Sequence, residues 1–399
     1  MKYIVILGDG MADEPLEALK GSTPLACART PMMDQLAKVS EVGMVKTIPD
    51  GMKPGSDTAN LSVLGYDPKQ YYTGRSPLEA LSIGVPMKDT DIALRCNVVT
   101  ISEEDVPFEE QTIIDHSAGE IPTEEADQLI QAVKEVFQDE TYQFYTGTSY
   151  RHLLIWNGGK VLDLTAPHDV LGQVIGPHLP EDPKLREMMV KSYDILNRHP
   201  VNLKRAAEGK RKANCLWFWG AGTKPILTSF YEKTGKKGAM VSAVDLLKGI
   251  ATGAQMKVIE VPGADGSLHT NYEGKAMAGV NAVLKEGCDF AYIHLEAPDE
   301  MGHQGSIPDK ITAIENLDQR IIRIVKEQMD QSGEDYRLLI LPDHPTPIRC
   351  RTHTSDPVPY MLYDSTKTVK GPEAYNEKTA AEGGIFLPEG PMLMEKLFA

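Results

Sequence analysis

Five short apolar runs constrain this chain more than any other feature: YIVIL (3–7), AMVSAVDLL (239–247), MKVIEV (256–261), FAYIHLEA (290–297) and YRLLILPD (336–343). A strand covered on both faces has no polar side to show, so continuous runs of this length read as buried strands of a mostly parallel sheet. Helical patterns lie between them. Residues 30–39 open with Pro31, and residues 308–328 place Ile311, Ile314, Leu317, Ile321 and Ile324 on one face at spacings of three and four. The alternation predicts an α/β fold built on a doubly wound, mostly parallel sheet, whose functional groups should sit beyond the carboxyl ends of its strands.

Residues 91–178 read differently. DIALRCNVVTI (91–101) and RHLLIW (151–156) are strand-like, an amphipathic helix begins near Thr123, and GGKVLDLT (158–165) reads as a hairpin arm. These predict a smaller α+β cap domain inserted into the main one. The core would then be discontinuous, 1–90 and 179–399, with a helix over 180–200 and EGKRKANCLWFWG (208–220) restarting the main sheet. At about 150 residues per domain, 399 residues accommodate this division.

Charge and cysteine usage limit the partners. Lys+Arg 41 against Asp+Glu 57 leaves −16, which repels nucleic acid and anionic membrane, so an anionic substrate must meet a local reversal of sign. No apolar run approaches the roughly 18 to 20 residues of a membrane span. Cys27, Cys96, Cys215, Cys288 and Cys350 stand singly with no C-x-x-C pair, which predicts reduced thiols in a cytoplasmic setting and no structural zinc knot.

Chemistry concentrates after the strands. Asp9 follows the first in GDGMAD; alone it reads as readily as a turn or helix-capping residue. Asp299 and His303 stand four apart in APDEMGH, on one face of a helix opened by Pro298, where they could share a cation or form a surface pair. Asp343 and His344 follow YRLLIL in a segment that prolines at 342, 345 and 347 keep from becoming helix, and His353 comes shortly after. Three aspartates and three histidines beyond three strands form a set stronger than its members. Ser56, after Gly55 at a predicted helix start, could cap that helix or receive a phosphate favoured by free N–H groups and the helix dipole. A serine hydroxyl becomes a nucleophile only with a base or metal beside it.

With GDGMAD, PGSDTANLSVLGYDP, APDEMGH, PDH and THTSDPVP in place, the chain resembles, over nearly its whole length, the archaeal-type cofactor-independent phosphoglycerate mutases of the alkaline phosphatase superfamily. The resemblance implies one cation on Asp9, Ser56, Asp343 and His344 and a second on Asp299, His303 and His353, with Ser56 transiently phosphorylated. It implies interconversion of 3-phosphoglycerate and 2-phosphoglycerate without 2,3-bisphosphoglycerate, on two divalent ions drawn from manganese, zinc, cobalt or magnesium. Substrate would be held by Arg75 in TGRSPLEA and by Arg151 with His152 in SYRHLL. Three carboxylates against two dications leave −3 + 4 = +1, the local reversal an anion needs.

Where this family would carry basic residues, the chain has Trp217, Phe218 and Trp219 in one segment and Glu296 in another. That pattern resembles a bacterial subgroup proposed to phosphorylate homoserine, which makes homoserine a second acceptor to consider. Arg211, Lys212 and Lys275 could supply the missing charge. A metal-dependent phosphatase and a non-catalytic metal-binding protein are further alternatives; the cap, which would exclude water, disfavours the first, and the complete ligand set disfavours the second. Association of like chains is compatible with every one of these readings.

Overall fold

The computed structural model describes all 399 residues. In chain order the strands are β1 (Lys2–Gly8), β2 (Glu41–Val45), β3 (Asp91–Ile101), β4 (Ile113–Asp115), β5 (Tyr142–Thr148), β6 (Arg151–Asn157), β7 (Cys215–Thr223), β8 (Gly238–Val241), β9 (Lys257–Ile259), β10 (Phe290–Leu295), β11 (Tyr336–Leu341), β12 (Val358–Asp364) and β13 (Phe386–Leu387). They divide between two compact units: Met1–Tyr72 with Ile226–Ala399, and Thr73–Pro225.

The first unit holds an eight-stranded sheet in the order β13-β2-β12-β11-β1-β10-β8-β9. All neighbours run parallel except β12, which is antiparallel to both β11 and β2. At its centre, β1 pairs Leu7 with Leu341 of β11 on one side and with His294 of β10 on the other. The carboxyl ends of β1, β10 and β11 therefore finish side by side, and Asp9, Asp299 and Asp343 are delivered to one edge. Ile4, Ile6, Ile293, Leu338 and Ile340 pack against Ile314, Leu317, Ile321 and Val325 of the amphipathic stretch read from sequence. That stretch is two α-helices, Ile307–Asn316 and Arg323–Ser332, joined through a π-helical turn at Leu317–Ile322. Asp318 of the turn is fully buried and accepts the N–H groups of Met32 and Met33, at the start of the helix Pro31–Ala37, so a carboxylate caps a neighbouring helix.

The second unit is a five-stranded sheet in which β3 pairs with β4, β6 and β7, and β6 with β5, all antiparallel. The helices Thr123–Phe137 and Pro183–Asn197 bury Leu129, Val133, Leu185 and Met189 in a core shared with Leu94, Val98 and Leu216. The unit is wider at both ends than the 91–178 expected from sequence. CLWFWG does not restart the main sheet. It forms β7, with Phe218 opposite Cys96 and Leu216 opposite Val98, because the open edge of β3 accepts it. GGKVLDLT forms no strand: Val161 is 56% exposed, and no neighbouring strand pairs with it. AMVSAVDLL splits into β8 and the helix Asp245–Gly253, a run whose apolar content fits either element. No helix of the chain is long and apolar enough to cross a membrane, and all five cysteines are free.

Candidate metal centre

Ser56 opens the helix Ser56–Val63 at its first helical position, with extended Gly55 in the capping place. Its hydroxyl makes no capping bond. Ser56 Oγ instead lies 3.3 Å from each carboxylate oxygen of Asp9 and 3.1 Å from His344 Nε2. The N–H groups of this helix start are not all free, as the sequence reading supposed: Asp57 takes that of Thr58 at 2.8 Å.

His344 Nε2 also faces Asp9 Oδ1 at 3.3 Å and Asp343 Oδ2 at 3.4 Å. The helix Ala297–Gln304 brings His303 Nε2 to 3.1 Å from Asp299 Oδ2, and His353 Nε2 lies 3.3 Å from Asp299 Oδ1 and 3.0 Å from His303 Nε2. The rings of His344 and His353 stand 4.1 Å apart. Asp9, Ser56, Asp299, His303, Asp343, His344 and His353, far apart in sequence, thus form one cluster. Asp9 is 2% exposed, Asp299 7%, and Asp343 and His344 are fully buried.

Backbone geometry permits this crowding at Gly10. Its φ is +61°, and a Cβ there would stand 2.5 Å from Thr346 Oγ1 and 2.6 Å from Asp299 Oδ1. The Gly10 N–H is thereby free to hold Asp343 Oδ1 at 3.0 Å, an oxygen also bound by the His344 N–H at 2.9 Å.

The family model described as 2,3-bisphosphoglycerate-independent phosphoglycerate mutase matches residues 37–202. A probable mutase of that name from Geobacter sulfurreducens is 46% identical, over 100% of this chain and 99% of its own. The mutase of the same name from Methanosarcina barkeri is 49% identical over 97% and 96%. Among solved structures, the cofactor-independent phosphoglycerate mutase of Thermoplasma acidophilum superposes with a TM-score of 0.65 at 28% identity, covering 100% of this chain and 99% of that one. A Pyrococcus horikoshii protein reaches 0.80 at 29% identity, covering 99% and 96%. The chain belongs to the 2,3-bisphosphoglycerate-independent phosphoglycerate mutases.

In this mutase the electrostatics of the cluster suit cations. Two groups have donor atoms mutually within 4.8 Å: Asp9, His294 and Asp343, and Asp299, His344 and His353. Burial and the charge of Asp9 push the Asp343 carboxyl up to about 6. Burial alone would lower His344, but Asp343 and Asp9 draw it up to about 10, and Asp299 likewise draws His303 up to about 9. Protons on histidine here supply the positive charge that three buried carboxylates demand, and a dication held by the same oxygens and nitrogens would supply it instead. The donor set fits manganese, zinc, cobalt or magnesium.

The expected substrate residues lie in different surroundings. Arg75 Nε is 3.2 Å from Glu79 Oε1, which also receives Arg95 Nη2 at 2.6 Å. Arg151 lies over the Tyr150 ring. His152 is 1% exposed, accepts the Gly147 N–H on Nδ1, and is driven by burial down to about 4, so its ring is neutral. Lys275 is fully buried and donates to the His294 carbonyl at 3.1 Å. Arg211 Nη1 is 2.6 Å from Asp115 and Lys212 Nζ is 2.7 Å from Glu103.

Other contributors to the cluster escaped the sequence reading. Asn60, one turn after Ser56, donates from Nδ2 to the Ser56 carbonyl and to Asp343 Oδ2, and accepts the Tyr292 hydroxyl on Oδ1. Thr346 donates to Asp299 Oδ1. His294 Nε2 stands 2.9 Å from Asp9 Oδ2. A histidine inside the otherwise apolar FAYIHL was the one signal available in the sequence, since a fully buried strand has little other use for an imidazole.

Proposed function

We propose that this chain interconverts 3-phosphoglycerate and 2-phosphoglycerate through phosphorylated Ser56. The carrying observation is the Ser56 hydroxyl, unspent on capping and set among Asp9 and His344. In the first half-reaction Ser56 Oγ bonds to phosphorus as the phosphorus–oxygen bond to the glycerate breaks. The proton that Ser56 Oγ gives up, with the Asp9 carboxylate at 3.3 Å to receive it, is the one the departing glycerate oxygen takes up, so the half-reaction neither consumes nor releases a proton. In the second, the other glycerate hydroxyl attacks the same phosphorus and Ser56 Oγ leaves, the proton lost by that hydroxyl restoring the serine hydroxyl. Asp9, Ser56, Asp343 and His344 would hold one cation and Asp299, His303 and His353 the other. Such cations, when bound, would favour the ionised serine oxygen and offset negative charge on the phosphoryl group.

Within this reading Arg75 and Arg151 with His152 are the substrate contacts that the family resemblance implies, and Lys275 is a candidate compensating charge; 2,3-bisphosphoglycerate is not required, and the protein works in the cytoplasm with its thiols reduced. Ser56→Ala in metal-loaded protein should lower turnover in an enolase-coupled assay by at least about 10³-fold and abolish the phosphorylated species in intact mass spectrometry. Unchanged turnover would remove Ser56 from the mechanism.

Glu296 favours a second reading. Burial and the charge of Asp9 hold its carboxyl up to about 7, and an acidic group there suits a substrate amine better than a second anion. Phosphoryl transfer to homoserine from a phosphoryl donor, with no mutase turnover, would establish that reading instead.

A further inference from the structure

His294 lies within the first unit, in β10, where it is fully buried. Its two ring nitrogens have one partner each: Nε2 is 2.9 Å from Asp9 Oδ2 and Nδ1 is 3.1 Å from Ser242 Oγ. Ser242 Oγ already accepts the N–H of Val244 at 3.0 Å. The Ser242 hydrogen therefore has one acceptor in reach, His294 Nδ1. Were the ring proton on Nδ1 alone, that hydrogen would be stranded on a side chain only 5% exposed. The Nε2 lone pair would then also face a carboxylate oxygen at 2.9 Å with no hydrogen between them. A neutral imidazole carries a single ring hydrogen, and with Nδ1 accepting from Ser242 that hydrogen is on Nε2. Whether the ring is neutral or cationic, a proton remains on Nε2.

This separates two roles that distance alone leaves together. Asp9, His294 and Asp343 have the spacing of a three-ligand site, but with Nδ1 accepting from Ser242, freeing Nε2 for a metal would strand that hydroxyl hydrogen or leave an imidazolate; His344 differs, because its Nδ1 faces the Pro345 carbonyl and keeps a ring proton while Nε2 gives up its own. We propose that His294 is a positioning residue and not a ligand: its Nε2–H holds Asp9 Oδ2 and leaves Oδ1, which faces His344 Nε2 at 3.3 Å, for the cation. Ser242 sets the tautomer, and Lys275 anchors the strand at this point through the His294 carbonyl. A histidine oriented this way around a ligating carboxylate stiffens the ligand and raises affinity without entering the coordination sphere.

The inference rests on the cluster being a two-cation centre, and Mn²⁺ titration of the unaltered protein tests that premise separately: two ions bound per chain sustain it, none refutes it. Given two ions, His294→Leu should weaken Mn²⁺ binding at one site by about 10- to 100-fold. His294→Gln, whose amide N–H can still reach Asp9, should recover affinity to within about threefold, and Ser242→Ala should fall between. The Co²⁺-loaded His294→Gln protein should keep the visible bands of the unaltered protein and bind two ions, because the directly coordinating atoms are the same. Loss of one Co²⁺, or shifted bands, would make His294 a ligand and overturn the proposal. So would a His294→Leu protein with undiminished Mn²⁺ affinity. Should His294→Leu not fold, the glutamine and Ser242 variants decide the question by the same readouts.

Discussion

Ser56 is available because Gly55 occupies the capping position in front of it, and Asp299 and Thr346 can close on the turn after Asp9 because Gly10 has no side chain. Gly10→Ala should therefore act twice. It strains a backbone at φ +61° by about 1 kcal/mol or more, and it pushes on Asp299 and Thr346, so Mn²⁺ affinity should fall by more than tenfold while the folded protein persists; calorimetric titration and circular dichroism would separate the two effects. Protonation is a second property of single residues. His344 and His303, held near 10 and 9 by the surrounding carboxylates, carry protons at neutral pH and must release them to bind a cation. Mn²⁺ binding at pH 7 should thus liberate about two protons, seen as a dependence of binding heat on the ionisation enthalpy of the buffer, and affinity should fall as pH is lowered. Binding heat that is indifferent to buffer would contradict the proton-for-metal exchange.

Loops are joined to one another by residues with no catalytic part. Lys310, in the helix Ile307–Asn316 and fully buried, donates to Asp13 Oδ2 at 2.8 Å, to the Thr346 carbonyl at 2.9 Å and to the Ala12 carbonyl at 3.2 Å. One ammonium group thereby ties the loop after β1 to the loop after β11, the two segments that carry Asp9, Asp343 and His344. Lys310→Met would leave the Asp13 carboxylate buried without its partner, and urea unfolding should show a loss of about 3–5 kcal/mol. The double variant with Asp13→Asn should recover part of that loss, because no uncompensated charge remains. Elements also explain which parts of the site could be read in advance. Asp9, Asp299 and Asp343 were legible because each follows a strand whose apolar run is unmistakable, and His303 because four residues make one helical face. Asn60 and Lys310 were not, since each sits among helical residues where nothing in the local pattern tells a tether from a surface side chain. Boundaries failed for a related reason: CLWFWG reads as a buried strand in either sheet, and only the open edge of β3 decides which.

At the scale of the whole molecule, the three buried carboxylates should make stability depend on metal and on pH together. Chelation should lower the melting temperature, since ligand at about 100 times its dissociation constant contributes about 2.7 kcal/mol per site. In the metal-free protein the raised histidines have the opposite pH profile to a salt-bridged acid. Their contribution is complete below the unfolded value near 6.5 and is lost as pH climbs toward about 9 to 10, when the carboxylates lose their counter-charge. The gap in melting temperature between loaded and chelated protein should therefore widen between pH 6.5 and 10; a constant gap would place the stabilising charge elsewhere. The sequence by itself determined the α/β class, the strands that carry the aspartates, and the residue types of a dication site, because apolar runs and strand-end polar residues are local signals. Only the tertiary structure decided that β7 joins the smaller sheet, that Ser56 is free of its cap, and that His294 sets a ring nitrogen 2.9 Å from Asp9. Those outcomes depend on which atoms meet across hundreds of residues, and hydrogen-bond direction is settled by the full set of partners rather than by any one stretch of chain.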